Sequence, residues 1–364
     1  MKRMLAALAA LAALAIVLAQ AATVAPARAA TDPGLAAQAA LGWLRSRQQS
    51  DGSFPGFDAG ASADAIFALA AAGTDPNGVF SNGATPVTYL GNNAAAYAAK
   101  SAAAAGKLTL AVVAAGKDPR SFGEHDLLGA LARTYDAKTG RYGADITGHA
   151  YALLALAATG QPIPPQALAA LGKAQLPDGG WSFDGGAASG SDTNTTALVV
   201  QALAAARARS AVLGRALAYL ESQQNADGGF PYSKSSSFGA DTDANSTANV
   251  IQALVAAGVD PRSLKPGASD PIDALLALQN PSGAFRYQAA QPDDNDLATA
   301  QAIPALLLKP FPLATLALPV AQPAPASLPR TGGGAPAWPL LAAALALLVL
   351  GAATRMGRNR SVLP

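Results

Sequence analysis

Between residues 32 and 309 the apolar positions follow two alternating patterns. In one, Leu213, Ala216, Leu217 and Leu220 recur at three- and four-residue spacing, which predicts a helix with a single buried face. In the other, stretches such as Ala197-Leu198-Val199-Val200-Gln201-Ala202-Leu203 and Ala253-Leu254-Val255-Ala256-Ala257 are apolar almost all round. A helix of that kind has to be buried on most sides. The alternation therefore predicts outer and inner helices in pairs.

The turn from outer to inner helix is a motif. It reads Gln48 to Phe54, Gln175 to Trp181, Gln224 to Phe230 and Gln279 to Phe285, each fitting Q-x-x-[DS]-G-x-[FW]. A degenerate copy runs from Asp136 to Tyr142. The motif aromatics Phe54, Tyr142, Trp181, Phe230 and Phe285 leave one interval about twice the others, so a sixth unit is expected near residue 100. Aligning the inner helices on a closing left-handed residue (Gly73, Gly116, Gly160, Arg207, Gly258) supplies it as Ser101 to Gly116. Asp-Pro pairs at 75–76, 118–119 and 260–261 prevent those helices from continuing. The expected fold class is all-α: six hairpins, twelve helices, with an inner and an outer ring closed on itself so that no repeat end is exposed.

The first columns of the inner helices carry most of the candidate chemistry. They read Asp58, Gly60, Ser62; Ser101, Ala103, Ala105; Asp145, Thr147, His149; Asp192, Asn194, Thr196; Asp243, Asn245, Thr247; and Asn295, Leu297, Thr299. Such residues are preferred helix N-caps, and a ring of them also presents donors and polar side chains at one mouth. On that basis His149, Asp192, Asn194, Asp243 and Asn245 are the candidate ligand contacts.

Composition narrows the chemistry. The 364 residues include no Cys and two His, which excludes disulfides, thiolate zinc and thiol nucleophiles; no metal site and no required cofactor are expected. Net charge is +2 with no basic stripe interleaved with aromatics, so nucleic acid is not an expected partner.

The turns, the inner-helix starts and the count of six resemble the prenyltransferase and squalene-cyclase repeat proteins, whose shared fold is an α/α toroid. The resemblance covers residues 34 to 308. It implies several functions, from terpene cyclases to zinc prenyltransferases and cobalamin carriers. A cyclase of this family carries D-x-D-D-T-A, with the middle Asp as proton donor. Here Asp243-Ala244-Asn245-Ser246-Thr247-Ala248 and Asp192-Thr193-Asn194-Thr195-Thr196-Ala197 have amides or hydroxyls at the second and third Asp positions. An amide cannot donate that proton. The family's zinc ligands include a Cys that this chain lacks. The fallback acid is the crowded Asp293, Asp294 and Asp296, where mutual repulsion would raise a pKa. The expectation is a non-catalytic module binding a small extracellular ligand, corrinoid-like or hydrophobic, at the mouth. The alternative is a terpene cyclase or prenyltransferase-like enzyme acting on an isoprenoid with a degenerate acid motif.

The ends predict location. Met1-Lys2-Arg3, an uncharged run and Ala27-Arg28-Ala29 form an export signal over 1–30, ahead of a repeat domain at 31–309. Residues 310–332 form a Pro-rich stalk ending in Leu328-Pro329-Arg330-Thr331-Gly332, followed by an apolar span at 333–354 and a basic tail at 355–364. That order resembles the LPxTG sorting signal of Gram-positive-type surface proteins. It implies cleavage between Thr331 and Gly332 by a sortase-type transpeptidase and attachment to the cell wall; a plain membrane anchor is the simpler reading. Either one puts the repeat domain outside the cell.

Overall fold

The computed structural model describes residues 32–316 and 318, apart from 209 and 238. Among the described residues twelve α-helices follow one another as hairpins. The outer members are α1 (Pro33–Ser46), α3 (Pro86–Ala98), α5 (Leu127–Ala132), α7 (Pro165–Ala174), α9 (Ala211–Gln223) and α11 (Pro271–Leu276). The inner members are α2 (Ala59–Ala71), α4 (Ala102–Ala114), α6 (Ile146–Ala158), α8 (Thr193–Ala205), α10 (Ala244–Ala257) and α12 (Asp296–Leu306). Each inner helix packs on the next, and α12 returns to α2, so the six form a closed ring. The only sheet among the described residues is a two-stranded antiparallel ribbon, β1 (Tyr135–Asp136) with β2 (Arg141–Tyr142), pairing Tyr135 with Tyr142 around the degenerate turn.

The motif residues divide the work of the turn. The aromatic is a wedge: Trp181, Phe230 and Phe285 are fully buried, and Phe54 and Tyr142 nearly so. The glutamine stitches its turn to the next outer helix or to the loop leading into it. Gln175 Nε2 donates to Gly179 O and Val212 O, both at 2.8 Å, and Gln224 Nε2 to Gly228 O at 2.8 Å and Leu264 O at 3.0 Å. Gln279 Nε2 donates to Gly283 O at 2.9 Å and to Ala36 O of α1 at 2.8 Å, joining the last hairpin to the first. The glycine is required twice over: Gly179 has φ +94°, and a Cβ there would lie 2.5 Å from Arg215 O. At the opposite end each inner helix closes on a left-handed residue: Gly73, Gly116, Gly160, Arg207, Gly258 and, in the sixth repeat, Leu308. The Arg207 main chain therefore adopts the conformation that its column predicts, at φ +55°.

The stalk expected from residue 310 starts as something else. Its described part lies against the ring: Leu316 N donates to Ala158 O at 2.7 Å and Leu318 N to Thr159 O at 3.2 Å, at the C-terminal end of α6. Prolines keep this strap extended, but Phe311, Leu313 and Leu316 between them supply apolar groups that pack on the core. The export signal, Leu328, Pro329, Thr331 and Gly332, the apolar span and the basic tail lie outside the described residues. No helix among the described residues is long and apolar enough to cross a membrane.

Candidate functional site

All six residues of the first column are N-caps. Asp58 accepts from Gly60 N, Ser101 from Ala104 N, Asp145 from Gly148 N, Asp192 from Thr195 N, Asp243 from Ser246 N and Asn295 from Ala298 N, at 2.6–3.1 Å. The third column has its own duty, which is to accept the N–H of the turn aromatic. Ser62 Oγ takes that of Phe54, Thr196 Oγ1 that of Trp181, Thr247 Oγ1 that of Phe230 and Thr299 Oγ1 that of Phe285, at 2.8–3.0 Å. In the third repeat His149 Nδ1 replaces the hydroxyl, accepting from Tyr142 N at 3.1 Å, while Nε2 faces Ala167 O at 2.9 Å. The proton therefore sits on Nε2.

These bonds engage the expected ligand contacts within the fold. His149 is fully buried with both ring nitrogens engaged, and burial pushes its pKa down. Asp192 and Asp243 are 2% and 1% exposed, holding helix ends rather than facing solvent. Asn194 accepts from Asn249 Nδ2 at 3.3 Å, and Asn245 donates to Gln301 Oε1 at 2.7 Å, both inside the ring. The acidic run is dispersed as well. Asp294 accepts from Asn280 and Ser282, Asp296 pairs with Arg47 at 2.9 Å, and Asp293 is exposed.

Burial pushes Asp243 up to about 6, against the hydrogen bonds from Ser246. A raised carboxylate favours the folded state below its ordinary pKa, and that advantage is lost as pH rises through the folded value. Asn caps a helix as well as Asp. The stability of the wild type relative to Asp243→Asn is therefore expected to fall by about 2–3 kcal/mol between pH 4 and pH 8. Urea titrations of both proteins at the two pH values measure this; a constant difference would mean that Asp243 ionises normally.

The mouth end of the ring holds a different site. A cavity of about 420 Å3 opens between α2 and α12. Leu44, Phe54, Pro55, Phe57, Tyr97 and Leu297 give it apolar walls, and Asp64 and Lys107 lie deepest. Gly60 leaves space here, since a Cβ would come 2.6 Å from the Tyr97 hydroxyl. Asp64 Oδ2 and Lys107 Nζ are 2.7 Å apart, with side chains 10% and 16% exposed. Burial lifts Asp64 above the ordinary carboxylate range, with Lys107 pulling the other way. Burial works against the Lys107 charge too, but Asp64 together with Tyr151 and Tyr97 outweighs it and the ammonium is retained. Tyr97 is pushed up to about 12 by burial and stays neutral. Two further pairs, Asp58 with Lys100 and Asp296 with Arg47, flank the opening, each at 2.9 Å. Every carboxylate lining the cavity thus has a cation beside it.

Exposed apolar side chains recur around the mouth end of the ring. Phe183 and Tyr232 lie two residues beyond a wedge aromatic and Phe57 lies three beyond; all are exposed, as is Leu297. The carbonyls of Phe183 and Tyr232 accept the N–H of Ile146 and Thr193, the first residues of α6 and α8, both at 2.8 Å. That pins both residues at the mouth.

Below the cavity the lumen is polar and closed. The sixth residues of the inner helices are Asp64, Lys107, Tyr151, Leu198, Asn249 and Gln301. Under the mouth a void of about 20 Å3 is bounded by Asp64, Tyr151, Asn249, Gln301 and, from the strap, Phe311. Of the inner-helix aromatics, Phe67 and Tyr151 line that space.

Residues 134–293 match the family model of the squalene-hopene cyclase C-terminal domain. The whole ring resembles the ligand-free type II terpene cyclase MstE from Scytonema, with a TM-score of 0.54 at 16% identity over 76% of this chain and 97% of that one. The fold is the α/α toroid of the terpene cyclases. A crystal structure of a protein from Actinoplanes is similar to the same degree, with a TM-score of 0.54 at 16% identity over 76% and 98% of the two chains. An MstE variant in complex with geranylgeranyl dihydroxybenzoate, its substrate, gives 0.50 at 16% identity over 76% and 97%. No curated protein matches the chain. The matched family stretch ends before α12 and excludes α1, α2 and α4, which carry most of the cavity.

Proposed function

We propose that the protein takes an isoprenoid-type ligand, a branched apolar chain with a small polar head, into the mouth cavity of a terpene-cyclase-like toroid. The observation that carries this reading is the cavity itself: apolar walls of Leu44, Phe54, Phe57 and Leu297 converge on one ion pair, Asp64 with Lys107. Its volume suits a small ligand. The polar head meets Lys107 at the floor and the chain lies along the walls. The geranylgeranyl substrate held by the similar MstE toroid supports this choice of ligand class. A corrinoid gains no such support, because Asp192, Asn194, Asp243 and Asn245 are engaged inside the fold. The terminal signals support an exported, surface-tethered location.

The enzymatic form of this reading rests on Asp64, the carboxylate whose pKa burial raises at the cavity floor. Protonating an alkene requires that group as the neutral acid. Lys107 at 2.7 Å opposes that shift and favours the carboxylate, so a head group that draws Lys107 away favours the acid form.

Farnesol added to the purified full chain is expected to raise its unfolding temperature by about 5 °C at a hundredfold excess over Kd. Leu297→Glu, which places a charge in the wall, is expected to abolish the shift while leaving the unliganded protein as stable as before. No shift with farnesol or geranylgeraniol would remove the reading. Extraction and chromatography of the same mixtures decide the enzymatic form: a cyclised product lost in Asp64→Asn supports it, and unchanged alcohol leaves binding alone.

A further inference from the structure

The toroid closes without the strap. All six inner helices contact their neighbours in sequence, and Gln279 joins the last hairpin to α1. Residues 309–316 nevertheless cross the end opposite the mouth cavity. Gln252 Nε2 donates to Lys309 O at 2.8 Å, Phe311 N donates to Gln201 Oε1 at 2.8 Å, and the Phe311 ring stands edge-on to Phe67 at 4.7 Å. From there the strap reaches the end of α6 at Ala158 and Thr159.

Three features distinguish this segment from an ordinary part of the core. It has no helix or strand of its own. Its described residues are all half-buried or exposed, whereas the inner-helix residues around them are mostly buried. Its seat is imperfectly satisfied, since Gln201 is fully buried and its Nε2 has no partner among the described residues. The chain places its own aromatic and its own peptide N–H and C=O where a ligand with a ring or branched end beside a polar group would fit. The small void that Phe311 bounds shares Asp64, Ala300 and Gln301 with the mouth cavity, so one layer of side chains separates the two.

We infer that residues 309–316 are a displaceable plug occupying a second, lower subsite of the lumen in cis. When the strap lifts, Phe311 leaves the Phe67–Gln201–Gln252 seat and the lumen accepts an apolar chain end with an adjoining hydrogen-bonding group. The existence of the plug stands apart from the isoprenoid reading; only the identity of the chain rests on it.

The absence of native cysteine makes the test clean. Pro304→Cys in the full chain puts a single thiol on the wall of the void beside Phe311. Its reaction with a maleimide is expected to be at least about tenfold faster when Phe311→Gly is added, with helical circular dichroism unchanged. Hydrogen exchange on the unsubstituted full chain provides a reading that needs no variant: the amides of Phe311, Leu316 and Leu318 should exchange in a faster phase than those of α8 and α10. Equal thiol reactivity in both proteins, or one common exchange phase for strap and inner helices, would overturn the plug. Farnesol and geranylgeraniol then separate the two proposals. Phe311→Gly is expected to shift the affinity ratio toward the longer alcohol by about tenfold. Failure of both alcohols to bind, with thiol gating intact, sinks the ligand assignment and leaves the plug standing.

Discussion

Replacing Lys107 by Met leaves the Asp64 carboxylate beneath the cavity with no counter-charge, and is expected to lower folding stability at neutral pH by about 3–5 kcal/mol. The pair is dry enough for this: the Asp64 side chain is 10% exposed and neighbours the buried hydroxyls of Tyr97 and Tyr151 rather than bulk water. Without the ammonium, burial acts unopposed and the folded-state pKa of Asp64 rises further. A carboxylate raised in this way contributes stability below its unfolded value and loses it as pH rises through the folded one. The deficit of Lys107→Met should therefore shrink on acidification toward pH 4 and grow toward pH 8. Removing both charges, as Asp64→Leu with Lys107→Met, is expected to restore stability to within about 1 kcal/mol of the wild type, because an apolar pair needs no desolvation of charge. Urea unfolding of the four proteins of the cycle at the two pH values measures all three outcomes. If single and double variants lose the same amount, the pair is not coupled and Asp64 already resides in water. The single variant also holds the neutral acid that proton-initiated chemistry needs, so it is the protein in which to look first for turnover of a polyene.

Much of the ring could be read from the chain before any coordinates, because its signals are local. Cap, turn and left-handed closure are each set by a few adjacent residues, and the column from Asp58 to Asn295 marks all six inner-helix starts, including Ser101 in the repeat that lacks a recognisable turn. The same column is ambiguous about the site. Cap and ligand contact call for the same side chains, and only burial tells them apart. Asp192 and Asp243 cap, and His149 stands in for the hydroxyl that Thr196, Thr247 and Thr299 supply elsewhere. Comparing His149 with those threonines in the third column would have exposed its structural duty.

The cavity was missed for another reason. Asp64 and Lys107 are 43 residues apart and meet because α2 and α4 are neighbours in the ring, each carrying its charge at the sixth position of a helix that otherwise reads as apolar. Extending the columns from three positions to six puts Asp64, Lys107, Tyr151, Asn249 and Gln301 in one layer, which was the available signal. The strap was hidden by composition. Proline content describes how the segment runs, but apolar residues between the prolines, Phe311, Leu313 and Leu316 among them, decide where it lies.

Trp181→Ala is expected to match Lys107→Met in severity, at about 3–5 kcal/mol, and through packing rather than charge. Trp181 is fully buried, and three bonds hold it: Nε1 donates to Leu171 O at 2.9 Å, its N–H to Thr196 Oγ1 at 3.0 Å, and its carbonyl accepts from Asp192 N at 2.9 Å. The two backbone bonds survive truncation of the ring, so the loss isolates the wedge together with the Leu171 carbonyl it leaves unpaired. Thr196→Val does the converse, keeping the ring and removing the acceptor of a buried N–H, for about 1–3 kcal/mol. Trp181→Phe lies between, because it fills most of the volume but gives up the indole bond. The order expected from urea midpoints is therefore Trp181→Ala below Trp181→Phe, with Thr196→Val milder than the alanine variant. Because the turn of Trp181 also ties its hairpin to the next through Gln175, the loss should lower one cooperative transition rather than detach a single repeat. A biphasic unfolding curve for Trp181→Ala would show instead that a repeat unfolds on its own, and that the turns do not couple the hairpins into one unit.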